Sequence, residues 1–162
     1  MTKYLTALLV LAMCLAVPPA VSAHGYALGA LKIGHPWARP TAAGAPTAAG
    51  YLTITNTGQA PDRLVAATTT AASKVEIHEM STSGGVMRMR EVVGGLLIAP
   101  GATVALTPGG YHLMFIKPTH AWRVGEHVPA TLRFQHAGSI DVEFYVQADQ
   151  PPPAGMSGMN MR

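Results

Sequence analysis

The sequence predicts an all-β domain, a Greek-key sandwich or barrel, on three observations. Helical periodicity is nearly absent beyond residue 23. Short runs rich in β-branched and aromatic residues recur through the remaining chain. Gly, Pro, Asn, Asp and Thr separate these runs at close and fairly regular intervals, the spacing of an antiparallel fold. The 162 residues suit one domain of ordinary size.

The first segment, "MTKYLTALLVLAMCLAVPPAVSAHG", reads as an export signal over residues 1–23. Lys3 supplies the positive start, Leu5 to Val17 the apolar run, and "VSA" a small-residue cleavage site after Ala23. A membrane anchor is the competing reading. The apolar run is short and closes on Pro18-Pro19, so no stable membrane insertion is expected after cleavage. Lipid attachment at Cys14 is not expected either, because Cys14 sits inside the apolar run behind bulky Met13.

Residues 24–148 form the expected domain. Its strands are placed at Ala27–Ile33, Gly50–Asn56, Asp62–Ala67, Lys74–Met80, Val86–Val93, Thr103–Leu106, Tyr111–Lys117, Val128–Gln135 and Ile140–Gln147. Turns fall at Asn56-Thr57-Gly58, Ser83-Gly84-Gly85, Pro100-Gly101, Pro108-Gly109-Gly110 and Ala137-Gly138. "ARPTAAGAPTAAG", Ala38 to Gly50, reads as a small-residue loop, and no internal repeat is evident. The tail 149–162 is rich in Pro, Gly and Met and is expected to be disordered.

Composition removes several chemistries. Cys14 is the only cysteine and leaves with the signal, so disulfides, thiolate catalysis and thiolate metal sites are excluded from the mature chain. The net charge is +3 and the eleven Lys and Arg are scattered singly, unlike the basic stripe of a nucleic-acid binder. Methionine is the anomaly. Met80, Met87, Met89, Met114, Met156, Met159 and Met161 remain after cleavage, beside seven histidines.

Strand alternation places residues i and i+2 on one face. Three strands thereby present same-face pairs of soft or borderline donors: His78 with Met80, Met87 with Met89, and His112 with Met114. Val75, Ile77, Tyr111, Leu113 and Phe115 fall on the opposite, inward face. Residues 81–86, "STSGGV", read as a hairpin loop, which sets Met80 opposite Met87 and His78 opposite Met89. Residues so opposed stand about 5 Å apart at Cβ, close enough to share a metal ion.

Any one pair also reads as a core-filling methionine beside a hydrogen-bonded histidine. Three such pairs in one small domain favour a metal. Two imidazoles and two thioethers without a carboxylate point to Cu(I), since soft sulfur donors select it. Zinc sites prefer Cys, His and carboxylate. A c-type haem would need Cys-x-x-Cys-His, and a blue-copper centre needs a thiolate.

These residues also carry a resemblance. "KVEIHEM", "VMRMREV" and "PGGYHLMF", preceded by "GHPWARPTAAGAPTAAGYLTITNTG", closely resemble the PCu(A)C family of periplasmic copper chaperones, over about Lys32 to Gln147. The family signature is a His, ten residues, a Met, about twenty-one residues, then His-x-Met. Here ten residues separate His78 from Met89, and His112-Leu113-Met114 closes the motif. The resemblance implies a cupredoxin-like β-barrel holding Cu(I) through His78, Met89, His112 and Met114. It also implies delivery of copper to the CuA centre of cytochrome c oxidase subunit II, in company with other periplasmic copper-handling proteins. The second gap, Arg90 to Tyr111, is one residue longer than the family spacing. The extra residue is expected in the turn-rich "VVGGLLIAPGA". Inside a strand it would reverse the facing of every later residue of that strand, and Met80 and Met87 would substitute for Met89.

Other features are secondary. Trp37 reads as packing and Arg39 as a structural hydrogen-bonding group, with His35 outside the metal set. His120, His127 and His136 fall at strand or loop ends, exposed to water. Cleavage after Ala23 would leave His24 as an amino-terminal Cu(II) chelator, an auxiliary site or even an oxidase centre. Met156, Met159 and Met161 read either as a sticky tail or as an auxiliary arm that raises local copper concentration. The expectation is a non-enzymatic Cu(I) carrier of the periplasm. Copper storage or detoxification is the alternative, and a metal-free assembly module the plainest one.

Overall fold

The computed structural model describes residues 25–148. The signal segment, Cys14, His24 and the tail with Met156, Met159 and Met161 lie outside the described residues. Among the described residues there is no helix. Eleven strands follow in chain order: β1 Gly25–Leu28, β2 Leu31–Ala38, β3 Thr47–Asn56, β4 Asp62–Thr68, β5 Ala72–Ser83, β6 Val86–Glu91, β7 Leu96–Ile98, β8 Thr103–Leu106, β9 Tyr111–Pro118, β10 His127–Phe134 and β11 Ser139–Val146.

They join in the order β6-β5-β9-β3-β2-β11-β10-β4-β7, with β1 on β2 and β8 on β3. Most neighbours are distant in sequence, as a Greek-key chain requires, and β11 meets β2 in parallel. The sheet coils on itself. Phe115 of β9 meets Phe144 of β11 edge to face at 5.6 Å and Trp122 at 5.0 Å, although two strands separate β9 from β11 along the sheet. Around these rings pack Leu31, Ile33, Leu52, Ile54, Leu64, Ile98, Leu113 and Leu132, all essentially excluded from water. Each such side chain contributes about 1.5–3 kcal/mol on burial. Gly50 makes the rings' approach to β3 feasible, since a Cβ there would stand 2.6 Å from Phe115 Cε2 and 3.1 Å from Phe144.

The all-β, single-domain expectation holds, with local corrections. The run Ala27–Ile33 is two strands, because Gly29, at φ 57°, turns β1 back on β2. The loop expected from Ala38 to Gly50 is shorter: β2 continues through Ala38 and β3 begins at Thr47. Strand β7 adds to the expected set; Leu96 and Ile98 are buried and pair with β4 inside a stretch whose glycines suggest only turn. Its neighbour β4 starts at Asp62, whose carboxylate accepts the N–H groups of Arg63 (2.7 Å), His136 (3.0 Å) and Ala137 (2.9 Å), fastening the β10–β11 turn.

The β5–β6 hairpin carries the main correction. Ser83 pairs with Val86, so the loop is Gly84-Gly85 alone. Both glycines have positive φ, 60° and 78°, the requirement of a two-residue turn whose twist matches its strands. The strands therefore run to the loop, and the register differs from the expected one by two residues. Met80 lies opposite Met89, Thr82 opposite Met87, and His78 opposite Glu91.

Candidate metal centre

The site is a three-strand surface built by β6, β5 and β9. On β5, Glu76, His78 and Met80 alternate onto one face, while Val75 and Ile77 turn to the core. Strand β9 pairs with β5 so that His112 lies opposite His78 and Met114 opposite Glu76. Strand β6 adds Met89 opposite Met80 and Glu91 opposite His78. Directly opposed residues share a face. His78, Met80, Met87, Met89, His112 and Met114 therefore stand on one side of the sheet.

His78 is the hub. His112 and Glu91 are its direct partners across the sheet, Met89 and Met114 its diagonal ones, and Met80 its neighbour along β5. The residue beside Met80, just before β9, is Gly110, which accepts the Met80 N–H at 3.1 Å and offers no side chain. The extra residue between Met89 and His112 does not disturb this facing. Residues 92–110 leave the surface to form β7 and β8, and β6 and β9 each take their register from β5 independently.

The imidazoles lie 5.8 Å apart between ring centres, edge to face. His112 Nδ1 lies 3.1 Å from the carbonyl of Gly110, so its N–H donates there and Nε2 keeps the lone pair. Burial lowers the pKa of His112, the nearby His78 adds to that effect, and the Gly110 bond opposes it. Burial thus favours the neutral form of His112, the form that binds a metal. His78 is turned the other way. Its Nε2 is 2.8 Å from Glu76 Oε2, and Glu76 in turn pairs with Lys74 at 2.6 Å. Lys74 first, and His78 second, hold the Glu76 carboxyl below its ordinary pKa, so it is an anion able to accept the His78 N–H. His78 Nδ1 is buried with no hydrogen-bond partner, and in the neutral ring that donates through Nε2 it is the lone-pair nitrogen. Leaving such an atom unpaired costs about 1–3 kcal/mol. A cation bound there would remove the cost.

Glu76 and Glu91 are the residues sequence reasoning missed when it described a donor set free of carboxylate. The signal was present, because Glu76 precedes His78 by two in "KVEIHEM" and so shares its face. Tyr51 is a third. The β3–β9 ladder sets Ala49 opposite Met114, so by alternation Tyr51 falls on the face of Met114. Tyr51 stacks on Trp37 at 4.5 Å, and the Arg39 guanidinium lies 5.7 Å from the Tyr51 ring centre. Trp37 reaches this face through a bulge in β2 between Gly34 and Trp37, where His35 takes φ 47° and absorbs the extra residue. His35 is exposed and lies 3.3 Å from Gln147, away from the imidazole pair. His120 and His127 are exposed beside Glu126 and Glu143, and His136 is exposed.

The two sides of the site differ in exposure. His112 is 4% and Met114 9% exposed, whereas Met89 is 51% and Met87 65%. Among the described residues no three His, Cys, Asp or Glu side chains gather closely enough to hold a metal. The methionines on the same face offer thioether donors beside the two imidazoles.

Comparison with known proteins gives a consistent neighbourhood. A family model described as "Putative lipoprotein LpqE-like" matches residues 31–146. A putative lipoprotein of Leifsonia xyli subsp. xyli is 30% identical over 126 residues, covering 78% of this chain and 75% of that protein. An uncharacterized protein of Rickettsia prowazekii is 29% identical over 119 residues, 72% of this chain and 66% of its own. Among solved structures, the apo PCuAC domain from PmoF1 is similar with TM-score 0.66 and 29% identity, over 78% of this chain and 100% of that one. The copper-bound PCuAC domain from PmoF2 gives TM-score 0.66 and 28% identity, over 78% and 99%. The Cu(I) form of DR1885 from Deinococcus radiodurans gives 0.57 and 26%, over 80% and 84%.

Proposed function

The chain belongs to the LpqE-like family, and from that premise we propose that it is an exported, non-enzymatic Cu(I) carrier. The observation that carries this reading is the buried, unpartnered Nδ1 of His78, on the same sheet face as His112 and flanked by methionines. His78, His112, Met114 and Met89 are the proposed ligands, with copper as cargo. Imidazole and thioether together suit Cu(I) and disfavour hard divalent ions. The likeness to PCuAC domains, one copper-bound and another a Cu(I) protein, supports the same choice of metal.

Export rests on the signal-like residues 1–23 and on the lipoprotein description of the relative from Leifsonia xyli. The periplasm is the proposed compartment. The proposed acceptor is the CuA centre of cytochrome c oxidase subunit II. Auxiliary Cu(II) binding at His24, or copper capture by Met156, Met159 and Met161, belongs to the same proposal. The storage reading draws on the exposed thioethers of Met87 and Met89, which offer capacity beyond a single ion.

Anaerobic Cu(I) titration of the mature chain, beside His78→Ala and Met114→Ala, tests the site. One tightly held ion in the wild type, weakened in both variants with the fold intact, is expected. Unchanged binding in Met114→Ala would sink the ligand assignment. Several tightly held ions per chain would favour storage. Transfer to the apo CuA domain of subunit II, followed by the visible spectrum of the acceptor, tests the destination.

A further inference from the structure

We infer that Met80 and Met87 join Met89 in a thioether track, along which Cu(I) leaves the His78–His112 pair over the edge of β6. The inference rests on the Cu(I)-carrier reading and adds a direction and two residues to it.

Register supplies the path. Met80 is two residues from His78 on the same face of β5, and its side toward β9 is left open by Gly110. Met89 lies directly opposite Met80, and Met87 is two residues from Met89 on β6. Cβ atoms of opposed residues are about 5 Å apart and those of diagonal ones about 7 Å, within reach of flexible methionine side chains. The thioethers therefore form consecutive steps from the imidazole pair to the margin of the sheet.

Exposure supplies the direction. His112 and Met114 are nearly closed to water beside β3, while Met89 is 51% and Met87 65% exposed on β6. Strand β6 ends the sheet, and all six of its residues are exposed. A methionine left so open at a sheet edge gains little from packing, so core filling does not account for Met87. The residues that guard the edge are on the other face: Arg88 alternates with Met87 and Met89, and Arg90 pairs there with Glu79 at 2.6 Å. On the site face, the hairpin end of β6 carries uncharged sulfur at Met89 and Met87, with Glu91 standing opposite His78 at the other end. The step off the imidazole pair forms a copper–sulfur bond as a copper–nitrogen bond breaks, and each later step forms one copper–sulfur bond as another breaks. Copper stays monovalent, the thioethers stay neutral, and no proton or electron moves.

The test uses the mature chain loaded with one Cu(I) anaerobically, and the chelator bathocuproine disulfonate as acceptor. Met87→Leu conserves volume and apolarity at an exposed position, so folding is preserved. Its equilibrium affinity should stay within about twofold of wild type while transfer slows about fivefold, because a path residue acts on rate rather than on the end state. In methionine-methyl NMR of the wild type, one equivalent of Cu(I) should move the Met80 and Met87 resonances together with those of Met89 and Met114. Wild-type transfer rates in both Met80→Leu and Met87→Leu, with the Met87 methyl unmoved by copper, would overturn the track. Failure of the wild-type chain to bind Cu(I) would instead remove the carrier reading beneath it.

Discussion

Glu76 offers the sharpest test of how the site is organised. Its Oε2 lies 2.8 Å from His78 Nε2 and its Oε1 is 2.6 Å from Lys74, and its side chain is 19% exposed. If the carboxylate fixes His78 with Nδ1 toward the metal, its removal should weaken Cu(I) binding without unfolding the chain. Outer carboxylate partners of metal-binding histidines are typically worth about 10–100-fold in affinity, or about 1.4–2.7 kcal/mol. Two features place Glu76→Gln at the lower end. The amide keeps an oxygen acceptor for the His78 N–H, and water and Lys74 already screen the charge. About tenfold is expected for Gln. Glu76→Leu removes both charge and acceptor and should approach about a hundredfold. Competition against a chromogenic Cu(I) chelator without oxygen measures both. Apo-protein melts are the control, since Lys74 is 62% exposed and the surface pair is worth no more than about 1 kcal/mol. A Glu76→Leu variant that binds Cu(I) as tightly as wild type would refute the reasoning, because His78 would then need no carboxylate to present Nδ1.

The remaining expectations concern the frame around the site. Asp62→Ala should lower stability by about 3 kcal/mol in urea titration, because three backbone N–H groups lose a charged acceptor. Burial raises the pKa of Asp62, but the N–H groups of His136, Arg63 and Ala137 outweigh it and hold the value below the ordinary one. The unfolded chain therefore binds the proton first. The stabilisation is present above the ordinary carboxylate pKa of about 3.9 and is lost as pH falls through the folded value, so Asp62→Asn should flatten the acid limb of the stability profile. His112, whose pKa is lowered by burial, gives the corresponding effect nearer neutrality. Apo stability should be full above about pH 6.5 and decline below it, with a shallower decline in His112→Gln, measured by denaturation at several pH values. Gly50→Ala should cost about 1–3 kcal/mol in a thermal melt, as its Cβ would press on Phe115 and Phe144.

Much of this protein was legible in its sequence because period-two alternation is a local property. "KVEIHEM" and "GGYHLMFI" each divide into a core half and a donor half without reference to any other strand. Ile77, Leu113 and Phe115 are buried, and His78, His112 and Met114 share the opposite face. The chemistry of the donors, soft and free of thiolate, was likewise a matter of composition. The hairpin register was not legible, since "STSGGV" accommodates a six-residue loop as readily as a two-residue turn. Only the left-handed geometry of Gly84 and Gly85 decided that Met89 faces Met80 rather than His78.

Other features depended on strands far apart in sequence. The pairing of β5 with β9 brings His78 against His112 across thirty-three intervening residues, which no local pattern encodes. The bulge at His35 sets Trp37 opposite Tyr51, and the pairing of Ala49 with Met114 puts Tyr51 on the site's face by alternation. The exposure gradient from Met114 to Met87 exists only because β9 lies inside the sheet and β6 at its margin. The sequence alone therefore determined which side chains are donors and which face of its strand each occupies, because alternation is local. The tertiary structure decided which donors meet, which nitrogen of His78 is left free and from which side the site opens, because strand pairing and burial are not.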